Sequence, residues 1–133
     1  MDPKIKKILD KKSDYFYFVF RVIIGLLFLL HGIQKTPGIM NGSTSLFSLI
    51  GIAALIEVVG GIMIIVGLLT RYVALVAAVE MLIAYFKVHF PGGINPLVNK
   101  GEAALLFFVA FLVIMAFGPK KFALDYLITQ QSK

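Results

Sequence analysis

Four long runs of apolar residues account for most of the chain. They cover residues 16–34, 49–69, 72–89 and 100–117. A helix rises about 1.5 Å per residue, so each run is long enough to cross the roughly 30 Å of hydrocarbon in a bilayer. The pattern therefore predicts an all-α integral membrane protein, built as a four-helix up-down bundle in a single transmembrane domain over residues 1–133.

Turn-forming residues separate these runs. Lys35-Thr36-Pro37-Gly38 is predicted to end the first helix, and Pro91-Gly92-Gly93 follows the third. Gly118-Pro119 is predicted to end the fourth helix, because a proline cannot continue it. Only Thr70-Arg71 separates the second run from the third, so these two helices must be antiparallel neighbours.

The positive charge of the chain, +6 in total, lies mostly outside the apolar runs. The N-terminal segment 1–15 contains five lysines, the second turn contains Arg71, and the C-terminal tail 118–133 contains three more lysines. Basic residues concentrate on the cytoplasmic side of membrane proteins, so both termini are predicted to be cytoplasmic. The lysines of the tail are Lys120, Lys121 and Lys133, and those on the opposite side are Lys35, Lys87 and Lys100.

Part of the N-terminal segment has an amphipathic pattern. Ile5, Ile8 and Leu9 fall on one face of a helix that also contains the lysines. This pattern predicts that residues 4–12 lie on the membrane surface.

Composition excludes several classes of function. The chain is 59% hydrophobic and only 15% charged, which is typical of a membrane protein and not of a soluble domain. It has no cysteine, which excludes thiol–disulfide relays and iron–sulfur ligation by this chain. No basic patch is interleaved with aromatic residues, so nucleic acid is not a predicted partner; the lipid bilayer is.

Six ionisable residues lie inside the apolar runs or at their rims. Such residues are costly in hydrocarbon and usually mark an ion pathway, a proton relay or a ligand site. They are Arg21, His31, Glu57, Glu80, Lys87 and Glu102.

Helical spacing places most of these residues on faces formed by small side chains. Arg21 and Lys35 share a face with two glycines of the first run, and Glu57 shares one with Gly60 and Gly61. Small faces point into a bundle, so the charges are predicted to converge on one interior. The cluster is weighted towards the non-cytoplasmic half. The faces are Arg21/Gly25/Phe28/Gly32/Lys35 with His31 beside it, Ala53/Ala54/Glu57/Gly60/Gly61, and Val73/Ala77/Glu80/Ala84/Lys87.

Purely structural interpretations remain open for the residues near the rims. Arg21 can extend to cytoplasmic headgroups, and Glu102 has the spacing of a capping box that starts at Asn99. Lys35, Lys87 and His89 are close enough to the rim to be interfacial anchors. His31 can be satisfied by the carbonyl group of a neighbouring helix.

Glu57 and Glu80 fit such interpretations less well. A carboxylate this deep must be protonated, paired with a cation or hydrated. One interpretation is an ion pair that locks helices together. The other is a proton relay with His31 at a quinone pocket, because quinone reduction consumes two protons at its carbonyl oxygens.

Other cofactors are not predicted. His31 and His89 are poorly placed to bind a haem together, and no two histidines have metal-ligand spacing. Neither glycine pair resembles a phosphate loop, and no serine lies in a nucleophile elbow. No haem, metal or flavin site, and no catalytic residue of this chain alone, is therefore predicted.

The order of several short motifs resembles the DoxX/DoxD family of small four-helix membrane proteins. The likeness extends from about residue 20 to residue 125, and its most specific part is Glu57-x-x-Gly60-Gly61 followed by the segment 67–71. The other matching motifs are Arg21-x-x-x-Gly25, His31-Gly32-x-x-Lys35, Glu102, Gly118-Pro119 and Leu124-Asp125.

The resemblance implies a redox role in a prokaryotic plasma membrane. Some members of the family resemble subunits of thiosulfate:quinone oxidoreductase, and the family name comes from a terminal oxidase subunit. Its shared polar positions would be His31, Lys35, Glu57, Arg71 and Glu102, whereas Glu80 falls where members vary.

Three functions therefore stay open. The first is a quinone-interacting subunit of a redox complex, linked to sulfur-compound oxidation or to a terminal oxidase, with electrons supplied by a partner subunit. The second is a non-catalytic anchor or assembly subunit. The third is a small-solute or proton transporter, which would need an inverted repeat or a broken helix. Other subunits or further copies of the chain are expected partners.

Overall fold

A computed structural model describes residues 1–131, and the regular secondary structure in that range consists of helices. Lys133, one of the basic residues of the tail, lies outside the described residues. Three helical segments are long and apolar enough to cross a membrane, and a fourth helix is apolar but shorter. The five α-helices are α1 (Pro3–Met40), α2 (Leu49–Val66), α3 (Thr70–Ala84), α4 (Glu102–Phe117) and α5 (Leu124–Gln131).

Helix α1 is much longer than the predicted 16–34. It begins at Pro3, where the Asp2 carboxylate accepts a hydrogen bond from the Lys4 amide at 2.7 Å. The amphipathic segment is therefore the first part of α1 and not a separate surface helix. The prediction that Pro37 ends the helix is also wrong.

The helix passes through Pro37 because the bond lost there is replaced locally. Proline lacks an N–H, so the carbonyl oxygen of Ile33, four residues earlier, loses its usual partner. The Thr36 hydroxyl donates to this oxygen at 2.8 Å. The residue before proline thus satisfies the acceptor, and α1 continues to Met40.

Helix α2 has defined caps at both ends. The Ser48 hydroxyl accepts from the Gly51 amide at 3.1 Å at its start. At its end, Gly67 adopts a left-handed conformation (φ 75°) and donates to the Met63 carbonyl. The predicted boundaries at 69 and 72 shift to Val66 and Thr70.

The connection from α3 to α4 begins with two short helical turns. α3 continues into a π-helical turn at Tyr85–His89 and a short 3-10 turn at Phe90–Gly92. The predicted capping box is wrong, because α4 begins at Glu102 and the Asn99 side chain instead accepts from the Gly101 amide at 2.7 Å. The predicted end at Gly118 is confirmed: its amide donates to Ile114 at the end of α4.

The helices pack in two antiparallel pairs, α1 with α2 and α3 with α4. The first pair comes unusually close, since a methyl group added at Gly61 would lie 2.7 Å from the Leu29 backbone nitrogen. Between the pairs, the aromatic ring of Phe28 packs against Phe107 and Phe111 at centroid distances of 5.8 and 4.7 Å. These rings form the centre of the apolar core.

Polar contacts tie the helix ends together at one end of the molecule, which we call the basic end. It contains the N-terminal part of α1, the α2–α3 turn and residues 118–131. The Asp125 carboxylate accepts from the Leu69 and Thr70 amides and from the Thr70 hydroxyl, each at 2.8 Å. The Tyr17 hydroxyl donates to the Gly118 carbonyl at 2.6 Å. We call the other end, with residues 41–48 and 93–101, the loop end.

We expect Gly61→Ala to destabilise the protein by about 1–3 kcal/mol, because the new methyl group would push against the α1 backbone. Gly60→Ala is the matched control, since its methyl group would meet only side-chain atoms at 3.4 and 3.5 Å. Thermal unfolding in detergent measures both variants. Equal melting temperatures would show that the close α1–α2 contact is not needed.

Asp125→Ala should lower stability by about 1–2 kcal/mol, because it removes the side chain that caps the N-terminus of α3. Asp10→Ala, at an exposed position of α1, is the control and should leave the unfolding midpoint unchanged. Denaturant titration followed by circular dichroism measures the difference. A midpoint for Asp125→Ala that matches the control would contradict this role.

Candidate functional site

A buried ion pair joins α1 to α2 near the loop end. The Lys35 ammonium donates to both carboxylate oxygens of Glu57, at 2.7 and 2.6 Å. Glu57 is 1% exposed, whereas the Lys35 side chain is 32% exposed. The pair is thus reachable only from the lysine side.

The close approach of the two helices creates this pair. A methyl group added at Gly32 would lie 2.8 Å from the Glu57 Cβ, so the α1 backbone passes directly over the glutamate. Lys35 follows Gly32 by three residues, about one helical turn, on the same face of α1. Its ammonium therefore reaches back to the carboxylate without crossing a lipid-facing surface.

Glu80 is the second buried carboxyl group of the site. It is 8% exposed, and neither of its two oxygens has a hydrogen-bond partner in the protein. The charged groups that act on it electrostatically are Glu57 and Lys35. An isolated carboxylate is far more costly to bury than a neutral carboxyl group. Glu80 is therefore a buried acid without a hydrogen-bond partner, whereas Glu57 is paired with Lys35.

This arrangement places two carboxyl groups and one ammonium in an otherwise apolar interior. The two acids differ in their surroundings, because Glu57 has a cationic partner and Glu80 has none. A neutral carboxyl group can donate a proton, and a carboxylate can accept one. We call these three residues the cluster Lys35–Glu57–Glu80, in which one acid has a cationic partner and the other has none.

His31 differs from the members of that cluster in its exposure and its contacts. Its side chain is exposed and lies edge-on against Phe107, with ring centroids 5.4 Å apart. His31 is adjacent in sequence to Gly32, which contacts Glu57, but it occupies the outer side of α1, next to α4. The predicted relay role of His31 therefore stays a prediction, and its ring contact in the structure is with α4.

The Arg21 guanidinium lies at the basic end and bonds to backbone carbonyl groups. It is 0% exposed, and it donates to Ile64 and to Phe122 at 2.6 Å each. The carbonyl groups at the C-terminus of a helix lack partners within the helix, and they carry partial negative charge. Arg21 therefore caps α2 and ties it to the segment before α5, and it does not extend to the membrane surface.

Arg71 has the equivalent role for α4. It donates to the carbonyl oxygens of Met115 and Ala116 at 2.7 and 3.0 Å. Both arginines thus satisfy helix C-termini at the basic end, away from Glu57 and Glu80.

The remaining predicted residues lie at the loop end. Lys87 is exposed, so the prediction that it shares the buried face of Glu80 is wrong. The π-helical turn that begins at Tyr85 changes the number of residues per turn, so Lys87 no longer falls on the helix face that contains Glu80. His89 Nδ1 is 3.1 Å from the Asn99 carbonyl oxygen, and Glu102 is exposed in the first turn of α4.

The sequence alone did not indicate Tyr17 and Thr70, which contribute to the polar contacts at the basic end. A tyrosine beside an apolar run usually indicates an interfacial anchor, and nothing in the sequence links Tyr17 to Gly118, 101 residues away. Thr70 is the first residue of α3, and nothing in the sequence links its hydroxyl to Asp125, 55 residues away.

A separate apolar groove of about 360 Å³ lies between α2 and α3. None of its lining residues is charged, and it faces outwards. It is lined by residues that include Leu55, Val59, Gly60, Met63, Tyr72 and Val76.

Comparison with known proteins identifies the family. A Haemophilus influenzae protein named "Uncharacterized protein" is 38% identical over 125 residues, covering 88% of this chain and 93% of that protein. A Bacillus subtilis protein named "Putative oxidoreductase CatD" is 27% identical over 132 residues, covering 94% and 96%. No solved structure matches. The sequence profile of the DoxX family matches residues 16–90, and the chain belongs to this family of membrane proteins.

Proposed function

We propose that this protein is the membrane subunit of a redox complex in which a partner supplies electrons and the chain supplies protons to a membrane quinone. In this proposal, the four long helices form an up-down bundle in a bacterial plasma membrane, with the basic end in the cytoplasm. The observation that carries the proposal is Glu80, a buried carboxyl group without a partner beside the Lys35–Glu57 pair.

The chemistry of quinone reduction explains why such a group would be useful. Each quinone takes up two electrons and two protons and becomes a quinol. The chain has no cysteine, and residues 1–131 bring no three potential metal ligands together. In this proposal the partner carries the electrons. Glu80 can donate one proton and be reprotonated for the second, which is general acid catalysis by a positioned carboxyl group.

The comparisons support a redox role at a coarser level. The Bacillus subtilis relative is named as a putative oxidoreductase. The relatives are bacterial, in agreement with a plasma membrane location. A link to thiosulfate or to a terminal oxidase belongs to the same proposal and rests on the family resemblance.

A non-catalytic assembly subunit is the second candidate. The Lys35–Glu57 pair and the carbonyl-bound Arg21 favour it, because both join helices through direct hydrogen bonds. On this alternative, the ion pair matters for folding and partner binding, and Glu80 has no role in turnover.

Glu80→Gln should lower quinone reductase turnover by about 10-fold or more, because an amide cannot donate the proton. The complex would be purified in mild detergent, and its bound quinone and its turnover per complex would be measured. Glu102→Gln is the matched control, since Glu102 is exposed at the helix start and should retain full turnover.

The same preparation separates the two candidates. Full turnover in Glu80→Gln, or a complex without bound quinone and without quinone reductase activity, would end the proton-donor proposal. If Glu57→Gln lowers the yield of complex and Glu80→Gln leaves turnover per complex intact, the assembly role is the better description.

A further inference from the structure

Lys35 is the one member of the cluster Lys35–Glu57–Glu80 whose side chain is substantially exposed. Its side chain is 32% exposed, whereas Glu57 and Glu80 are 1% and 8% exposed. Lys35 lies about one and a half turns before the end of α1 at Met40, so its exposed surface is at the loop end. Contact between the buried acids and water therefore occurs through Lys35.

The opposite direction is closed by apolar packing. Phe28, Ile64 and Phe111 are fully buried between the cluster and the basic end. The contact of Gly61 with the Leu29 backbone leaves no space between α1 and α2 at this level. Protons do not move through close-packed hydrocarbon without polar groups or water.

The charges around the cluster are few. α1 contributes Lys35, α2 contributes Glu57, and α3 contributes Glu80. The buried residues in the first half of α4, Ala104 and Phe107, are uncharged. The Lys35 ammonium is hydrogen-bonded to Glu57, so ionisation of Glu80 in this arrangement would leave an unpaired buried charge.

We infer that Lys35 is the proton gate of this site, so that protons reach Glu57 and Glu80 only from the loop end. When Glu80 gives up its proton, a proton from water at the loop end replaces it by way of the Lys35–Glu57 pair. Glu80 is then neutral again, and the net charge of the cluster is unchanged. This inference rests on the proposed function for its use, but not for its test.

Cysteine accessibility tests the sidedness without any redox activity. The chain has no cysteine, so Lys35→Cys carries a single thiol. In proteoliposomes, a membrane-impermeant methanethiosulfonate reagent with a trimethylammonium group should label Lys35→Cys from the same side as Ser43→Cys, in the α1–α2 loop. Ser13→Cys, at the basic end, should be labelled only from the opposite side.

Infrared spectroscopy of the full-length protein tests the shared charge. We expect a protonated carboxyl band in the wild type that is absent in Glu80→Gln and that shifts in D₂O. Lys35→Met should add a second such band, because Glu57 loses its cation, and Lys35→Met/Glu57→Gln should remove it. Lys35→Arg keeps the cation and should show one band.

Several results would overturn the gate. They are no labelling of Lys35→Cys, labelling from the Ser13→Cys side, or an unchanged carboxyl spectrum in a folded Lys35→Met variant. If the labelling and the bands are as expected but quinone turnover does not depend on Glu80, the gate stands and the proposed function fails.

Discussion

The close contact between α1 and α2 is the constraint on which the rest of the structure depends. Glycines at the crossing allow the two backbones to approach, as at Gly61 against Leu29. In a membrane, such contacts and buried polar bonds hold helices together, because lipid is as apolar as the side chains it would replace. The same approach brings Glu57 under Lys35, so packing and electrostatics at the loop end cannot be separated.

Charge is used differently at the two ends of the molecule. At the basic end, Arg21, Arg71 and Asp125 satisfy the backbone groups left free at helix termini. Each of these side chains has backbone partners. Nearer the loop end, Lys35 is paired with the Glu57 carboxylate, and Glu80 is buried without a partner. The charged groups of the first set therefore bond to the backbone, whereas those of the second set depend on one another.

Much of the architecture could be predicted from the sequence. The apolar runs placed the helices, and the small faces around Gly25, Gly32 and Glu57 correctly indicated the buried side. The family resemblance was confirmed by the DoxX match. Side-chain partners were harder, because Lys35 could equally have been an interfacial anchor, and Arg21 finds its acceptors 43 and 101 residues away. Two local exceptions to regular helix geometry explain the errors. Pro37 lies inside α1, so the predicted end of that helix was wrong, and the π-helical turn accounts for the wrong face predicted for Lys87.

The length of α1 has a mechanical consequence. A helix of 38 residues is about 57 Å long, nearly twice the roughly 30 Å thickness of membrane hydrocarbon. Residues 3–13 are exposed, and the first side-chain contacts with the C-terminal segment are made by Asp14 and Tyr15. The N-terminal lysines are consequently carried on a rigid helix that extends roughly 16 Å beyond these contacts. A helix fixes a distance where a flexible tail would only limit one, so a molecule bound to these lysines would be held at a set spacing from the rest of the protein.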